Sequence, residues 1–117
     1  MKREELNQAL VTRFSELLPG YLELKRLWGG EEPGPHITYG DLLVPLIDSK
    51  ATQKREHELA DVMKFLEELS GSGDSDTLDV VVTSVLEPLL DSADRQRLEQ
   101  TMGPRTRVLW KRLLADG

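Results

Sequence analysis

The sequence predicts an all-α domain: a compact helical stack of two HEAT-like hairpins capped by N-terminal helices. Three observations carry this. Two octets match, Leu42-Leu43-Val44-Pro45-Leu46-Ile47-Asp48-Ser49 and Val85-Leu86-Glu87-Pro88-Leu89-Leu90-Asp91-Ser92, each with Pro at its fourth place and Asp-Ser at its end. Their prolines stand 43 residues apart, inside the roughly 40–47-residue period of HEAT and armadillo repeats. Apolar residues recur along most of the chain at helical spacing. Charged residues make up 31% and aromatics 5%, a balance that favours helices with solvated faces.

Residues 3–18 read as an amphipathic helix, with Leu6, Leu10, Phe14, Leu17 and Leu18 on one face. Pro19-Gly20 is expected to end it. A shorter helix runs from Tyr21 to Trp28, closed by Gly29-Gly30. Gly29 to Pro35 holds three Gly and two Pro in seven residues and reads as a loop. Thr38 or Asp41 can cap the next helix, with Pro45 in or near its first turn, where a missing N–H matters least. Ser49 to Gln53 reads as a polar turn. Residues 54–69 carry the clearest stripe, Leu59, Val62, Met63, Leu66 and Leu69, with Phe65 beside it. Residues 70–76 read as a linker that ends in cap residues.

Asp79 to Leu90 is ambiguous, because Val80-Val81-Val82-Thr83 has strand composition. Helical spacing of Leu78, Val82, Val85, Leu86 and Leu89 decides for a helix. Asp79, Thr83, Glu87 and Asp91 then step along the opposite face. Pro88 would kink it or divide it in two. A short helix from Asp94 to Met102 stops at Gly103. The last helix starts at Pro104 and runs to Ala115 with Val108, Leu109, Trp110, Leu113 and Leu114.

By length the 117 residues form one domain: an N-terminal cap (1–30), a first hairpin (38–71) and a second hairpin (76–116). There is no Cys, which removes disulfides, thiolate catalysis and Cys-based zinc sites. The N-terminus has no apolar core of a signal peptide, and no apolar run approaches a membrane span. The expectation is a soluble cytoplasmic protein with no membrane partner.

The net charge is −6, and it is segregated. Residues 72–94 hold six carboxylates and no Lys or Arg, residues 31–49 hold four carboxylates and none, and residues 95–117 are net basic. This balance disfavours nucleic-acid binding and favours a basic partner.

No residue set identifies an enzyme or a cofactor. His36 and His57 are the only histidines, and neither has the companions of a zinc site. His57 reads as an exposed helix residue, and His36 as a loop-anchoring residue. Asp74-Ser75-Asp76-Thr77-Leu78-Asp79 begins like a calcium loop but lacks Gly at the sixth place and Glu at the twelfth, so helix capping explains it better. Gly71-Ser72-Gly73 lacks the Lys and the preceding strand of a phosphate loop. Arg105, Arg107, Lys111 and Arg112 read as flanks of the Leu/Trp stripe that can offset residues 72–94. Trp28 or Trp110, if exposed, is a candidate binding anchor.

Arg13-Phe14 with Leu17-Leu18-Pro19, His36 to Asp41, Phe65-Leu66-Glu67, Gly73-Asp74 and Val81 to Leu89 together span most of the chain. In these pieces the sequence resembles a group of small bacterial all-helical domains of unknown function, some of which are similar to immunity proteins that neutralise polymorphic toxins. The resemblance implies a non-enzymatic protein binder without catalytic residues. Pro88 departs from the pattern.

The expected binding edge is Asp74, Asp76, Asp79 and Glu87, with Glu31, Glu32 and His36 beside it if the loop folds over. The partner would be a protein, a basic toxin in the concrete version, with no metal or cofactor. Two other readings stand: a ligand-binding or enzymatic pocket with His36, Tyr39 and Asp41 at its mouth, and a scaffold module whose apolar groove holds a peptide helix. If the octets are equivalent, Glu87 replaces Val44 and should be exposed or paired.

Overall fold

The computed structural model describes residues 2–116, and among these there are helices and no strand. Helix α1 is Leu6–Arg13 and α2 is Leu18–Leu27, each entered through a 3-10 turn, Arg3–Glu5 and Ser15–Leu17. Helix α3 is continuous over residues 35–52. Helix α4 is Glu56–Ser70, and α5 is continuous over residues 75–89. Helices α6, Arg95–Thr101, and α7, Pro104–Asp116, complete the chain.

The N-terminal break falls earlier than Pro19-Gly20. Phe14 leaves the helical region at φ −124°, ψ 82°. Its ring packs edge-on against Phe65 of α4, with centroids 5.5 Å apart, and the Arg13 guanidinium stands over both rings. A tertiary anchor therefore ends α1. Pro19 falls in the first turn of α2, where its missing N–H costs least. Gly20 lets α2 lie on α3, since a Cβ there would meet Leu42 Cδ2 at 2.9 Å.

The two octets form the same local structure. In α3 a wide π turn, Tyr39–Leu43, precedes the α segment Val44–Thr52, in which Pro45 is the second residue. In α5 the π turn Val80–Leu86 precedes Glu87–Leu89, in which Pro88 is the second residue. A proline inside an α-helix clashes with the carbonyl four residues back and leaves it without a donor. Widening the preceding turn relieves both problems without breaking the helix. The β-branched run Val80 to Thr83 also suits the wider turn, since such side chains crowd a tight one. Neither proline divides its helix.

Helices α3 and α5 lie side by side and run in the same direction. His36 meets Ser84, Asp48 meets Ser92, and Thr52 meets Asp94. The backbones come close: a Cβ on Gly40 would lie 3.6 Å from the Ser84 carbonyl oxygen. Helix α4 packs beneath both, and α7 packs on α4 and α5. The core between these layers holds Tyr39, Leu43, Ile47, Leu59, Leu66, Val80, Val85, Leu86 and Leu98, all fully buried. Trp110 fills the end under α7 at 2% exposure.

One contact joins the layers through a helix end. Helix α7 starts with its first N–H groups unpaired within the helix. Glu67 of α4 accepts from the Arg105 N–H at 3.0 Å, the Thr106 N–H at 2.9 Å and the Thr106 hydroxyl at 2.9 Å. Burial pushes its carboxyl up, but these donors and the Arg105 charge outweigh it and hold the group below the usual glutamate range.

Candidate functional site

The seven residues expected at a binding edge separate into two kinds. Glu32, His36, Asp74 and Asp79 are engaged within the fold. Asp74 caps α5, accepting from the Thr77 N–H at 3.1 Å and the Thr77 hydroxyl at 2.9 Å, as the capping explanation of the Asp-Ser-Asp run requires. Glu32 accepts from Asn7 Nδ2 at 2.8 Å and from the Tyr21 hydroxyl, and stands 3.9 Å from Lys25 Nζ. It thereby ties the Gly29–Pro35 loop to α1 and α2. Burial, then the hydrogen bond to Glu32 and its charge, push the Tyr21 phenol up to about 12.

His36 stands in the first turn of α3, not in a loop, because α3 begins at Pro35. Its Nε2 is 3.3 Å from Asp79 Oδ2 and its Nδ1 is 2.6 Å from the Ser84 hydroxyl. A carboxylate only accepts, so Nε2 carries the proton, and in the neutral ring Nδ1 accepts from Ser84. His36 therefore joins the start of α3 to Asp79 and Ser84 of α5.

Glu31, Asp76 and Glu87 are exposed and unbonded by any side chain among the described residues. Glu87 meets the expectation drawn from the octet comparison: it is exposed, where Val44 is half-buried. Asp41 and Asp91 are exposed too. The acidic stretches 31–49 and 72–94 are separate in sequence, and the fold sets them next to each other on α3 and α5. Asp41, Asp48, Asp76, Asp79, Glu87, Asp91 and Asp94 lie on these two helices and the turn after them, and the His36–Asp79 and Asp48–Ser92 contacts mark their common seam. Among the described residues no Lys or Arg pairs with any of the seven.

The cations of residues 95–117 do not offset residues 72–94. Arg95 pairs with Glu99 and Arg97 with Glu56, and although α7 packs on α5 as well as α4, none of its cations pairs with a carboxylate of residues 72–94 among the described residues. Tyr39 is fully buried and donates its hydroxyl to the Leu6 carbonyl at 2.7 Å, and burial raises its pKa. It stands at no pocket mouth, so His36, Tyr39 and Asp41 do not form one. Among the described residues no group of His, Asp and Glu has metal-binding geometry, and no helix is long and apolar enough to cross a membrane.

Two surfaces lie outside the expected acidic edge, and of the two tryptophans named as anchor candidates Trp28 is exposed and Trp110 buried. Helix α2 exposes Leu18, Leu22 and Leu27, with Trp28 at its end. A groove runs between α6 and α7. Leu18, expected on the apolar face of residues 3–18, is exposed because α1 ends at Arg13 and Leu18 starts α2 instead.

The arrangement defines an all-α domain that sets the two acidic stretches side by side on α3 and α5. The chain belongs to the domain family DUF7674, a domain of unknown function, which matches residues 7–115. No curated protein and no solved structure matches it.

Proposed function

We propose that the chain is a non-enzymatic protein-binding domain whose α3–α5 face covers a basic protein, and that it serves as an immunity-type inhibitor of a bacterial toxin in the cytoplasm. The observation that carries the reading is that α3, α5 and the turn after them bring together seven carboxylates without a Lys or Arg partner among the described residues. Such a face attracts a basic surface over distances near the Debye length, roughly 8–10 Å at physiological salt. It gives fast, salt-sensitive association. The resemblance to immunity proteins supports the toxin as the partner. The octet correspondence and the parallel pairing of α3 and α5 support the HEAT-like reading of the two hairpins.

Co-expression with the product of the neighbouring gene is the direct test. A complex should form whose association slows with salt, and Asp76→Lys with Glu87→Lys should slow it at least tenfold at low salt. If no neighbouring product binds and no toxin is neutralised, the reading is lost.

A further inference from the structure

We propose that the groove between α6 and α7 is a second docking surface, one that holds an acidic amphipathic helix of a partner protein. The groove has a volume of about 590 Å³. Gln96 and Gln100 line one wall from α6, one turn apart. Arg107, Lys111 and Leu114 line the other from α7, and their spacing sets them on one stripe of that helix. Trp110 forms the floor. Its indole N–H donates to Glu99 Oε1 at 2.9 Å, and the Arg95 guanidinium stands 5.7 Å from its ring centre. The floor is thus fixed before any partner arrives, which lowers the ordering cost of binding.

Charge and shape select the occupant. The Arg107 guanidinium donates to the Gln100 carbonyl at 3.3 Å, a neutral acceptor that leaves its charge unbalanced. Among the described residues no carboxylate pairs with Arg107, Lys111 or Arg112. Glu99, the carboxylate in the wall, is already held by Trp110 and Arg95. Free cations on one helix of a chain with net charge −6 call for a local anion. Leu114 stays 39% exposed at the end of the stripe and adds an apolar contact. From Arg107 to Leu114 the stripe runs roughly 10 Å at 1.5 Å per residue, a length that matches two turns of a helix lying alongside. Nucleic acid fits less well, because Trp110, at 2% exposure, offers no free ring face for a base.

The full chain carrying Trp28→Phe leaves Trp110 as the only tryptophan, so its emission reports on the groove floor. The probe is a synthetic peptide of about 16 residues, long enough to hold a helix, with Leu on one face and Glu on the other. The control is the same composition scrambled. A saturable emission change with the amphipathic peptide alone supports the proposal. Binding should weaken at least tenfold in Arg107→Glu with Lys111→Glu, and again in Leu114→Glu, while Glu87→Lys leaves it unchanged. Circular dichroism checks each fold; if the double variant unfolds, Leu114→Glu decides. Equal binding of both peptides, or binding of neither, overturns the proposal. So does sedimentation showing a second copy in the groove, dispersed by Arg107→Glu.

Discussion

After its proline, α3 continues for seven residues, to Thr52, whereas α5 continues for one, Leu89. Both reach that point through a π turn, and the two helices part beyond it. Past Pro45, Leu46, Ile47, Lys50 and Ala51 are buried, and Lys50 Nζ sits between Glu16 at 3.5 Å and Glu58 at 3.4 Å. Past Pro88, Leu89 is buried, Leu90 is half-buried, and Asp91 and Ala93 are exposed. A tolerated proline leaves the length of a helix to the burial available beyond it. Where apolar contacts continue, so does the helix; where they run out, a turn forms.

The largest expected effect tests what the helices share. Leu43 and Leu86 occupy equivalent octet places and are both fully buried. Leu43→Ala and Leu86→Ala should each destabilise by about 2–5 kcal/mol in urea unfolding, and to similar extents. A large gap between them would show that the equivalence is only local. The next effect tests where they part. Ile47 is fully buried, while its counterpart Leu90 is half-buried. Ile47→Ala should therefore cost clearly more than Leu90→Ala, with the excess on the order of 1–2 kcal/mol.

Glu67 tests how the second hairpin leans on the first. Glu67→Gln should lower stability by about 1 kcal/mol, the usual worth of a helix cap. Because its folded pKa is depressed, wild-type stability from this group is present above the unfolded value and is lost as pH falls through the folded one. The acid limb of the stability profile should flatten in Glu67→Gln. Gly103→Ala should act through the same contact, since a Cβ there would lie 2.5 Å from Glu67 Cδ. The smallest energetic effect is at the seam: a double-mutant cycle of His36→Ala with Ser84→Ala should give a coupling of about 0.5–1.5 kcal/mol. Glu87→Val should leave the unfolding midpoint unchanged and alter only association with a basic partner.

Periodicity exposed the helical class, the α4 stripe and the octet correspondence, because each depends on local spacing. The four-step polar row Asp79, Thr83, Glu87 and Asp91 is exposed throughout, as its spacing predicts. The apolar side of the same helix was less legible: Val80 and Val81 are buried while Leu78 and Val82 are only half-buried. A π turn shifts the phase of a helix, and a constant 3.6-residue period cannot anticipate it. Phe14 and Pro19 were misread together, because the contact that ends α1 lies on Phe65, far along the chain. His36, Asp74 and Glu32 carry chemistry that looks like a binding site in sequence, and the fold uses it to cap and clamp. Of the seven residues expected at the edge, the exposed carboxylates Glu31, Asp76 and Glu87 are left without a side-chain partner among the described residues. The acidic face itself needed the fold, since neither segment alone shows that the other lies beside it.

The parallel course of α3 and α5 also bears on how fast the chain finds its fold. Parallel neighbours cannot be closed by a tight turn, and α4 must be laid down between them. The seam contacts His36–Ser84 and Asp48–Ser92 span 48 and 44 residues. Such distant pairings carry a loop-closure penalty before they return any stability. The first hairpin should therefore form early, with α5 docking onto it late. Ser84→Ala, at a contact made after the barrier, should speed unfolding and leave the folding rate almost unchanged.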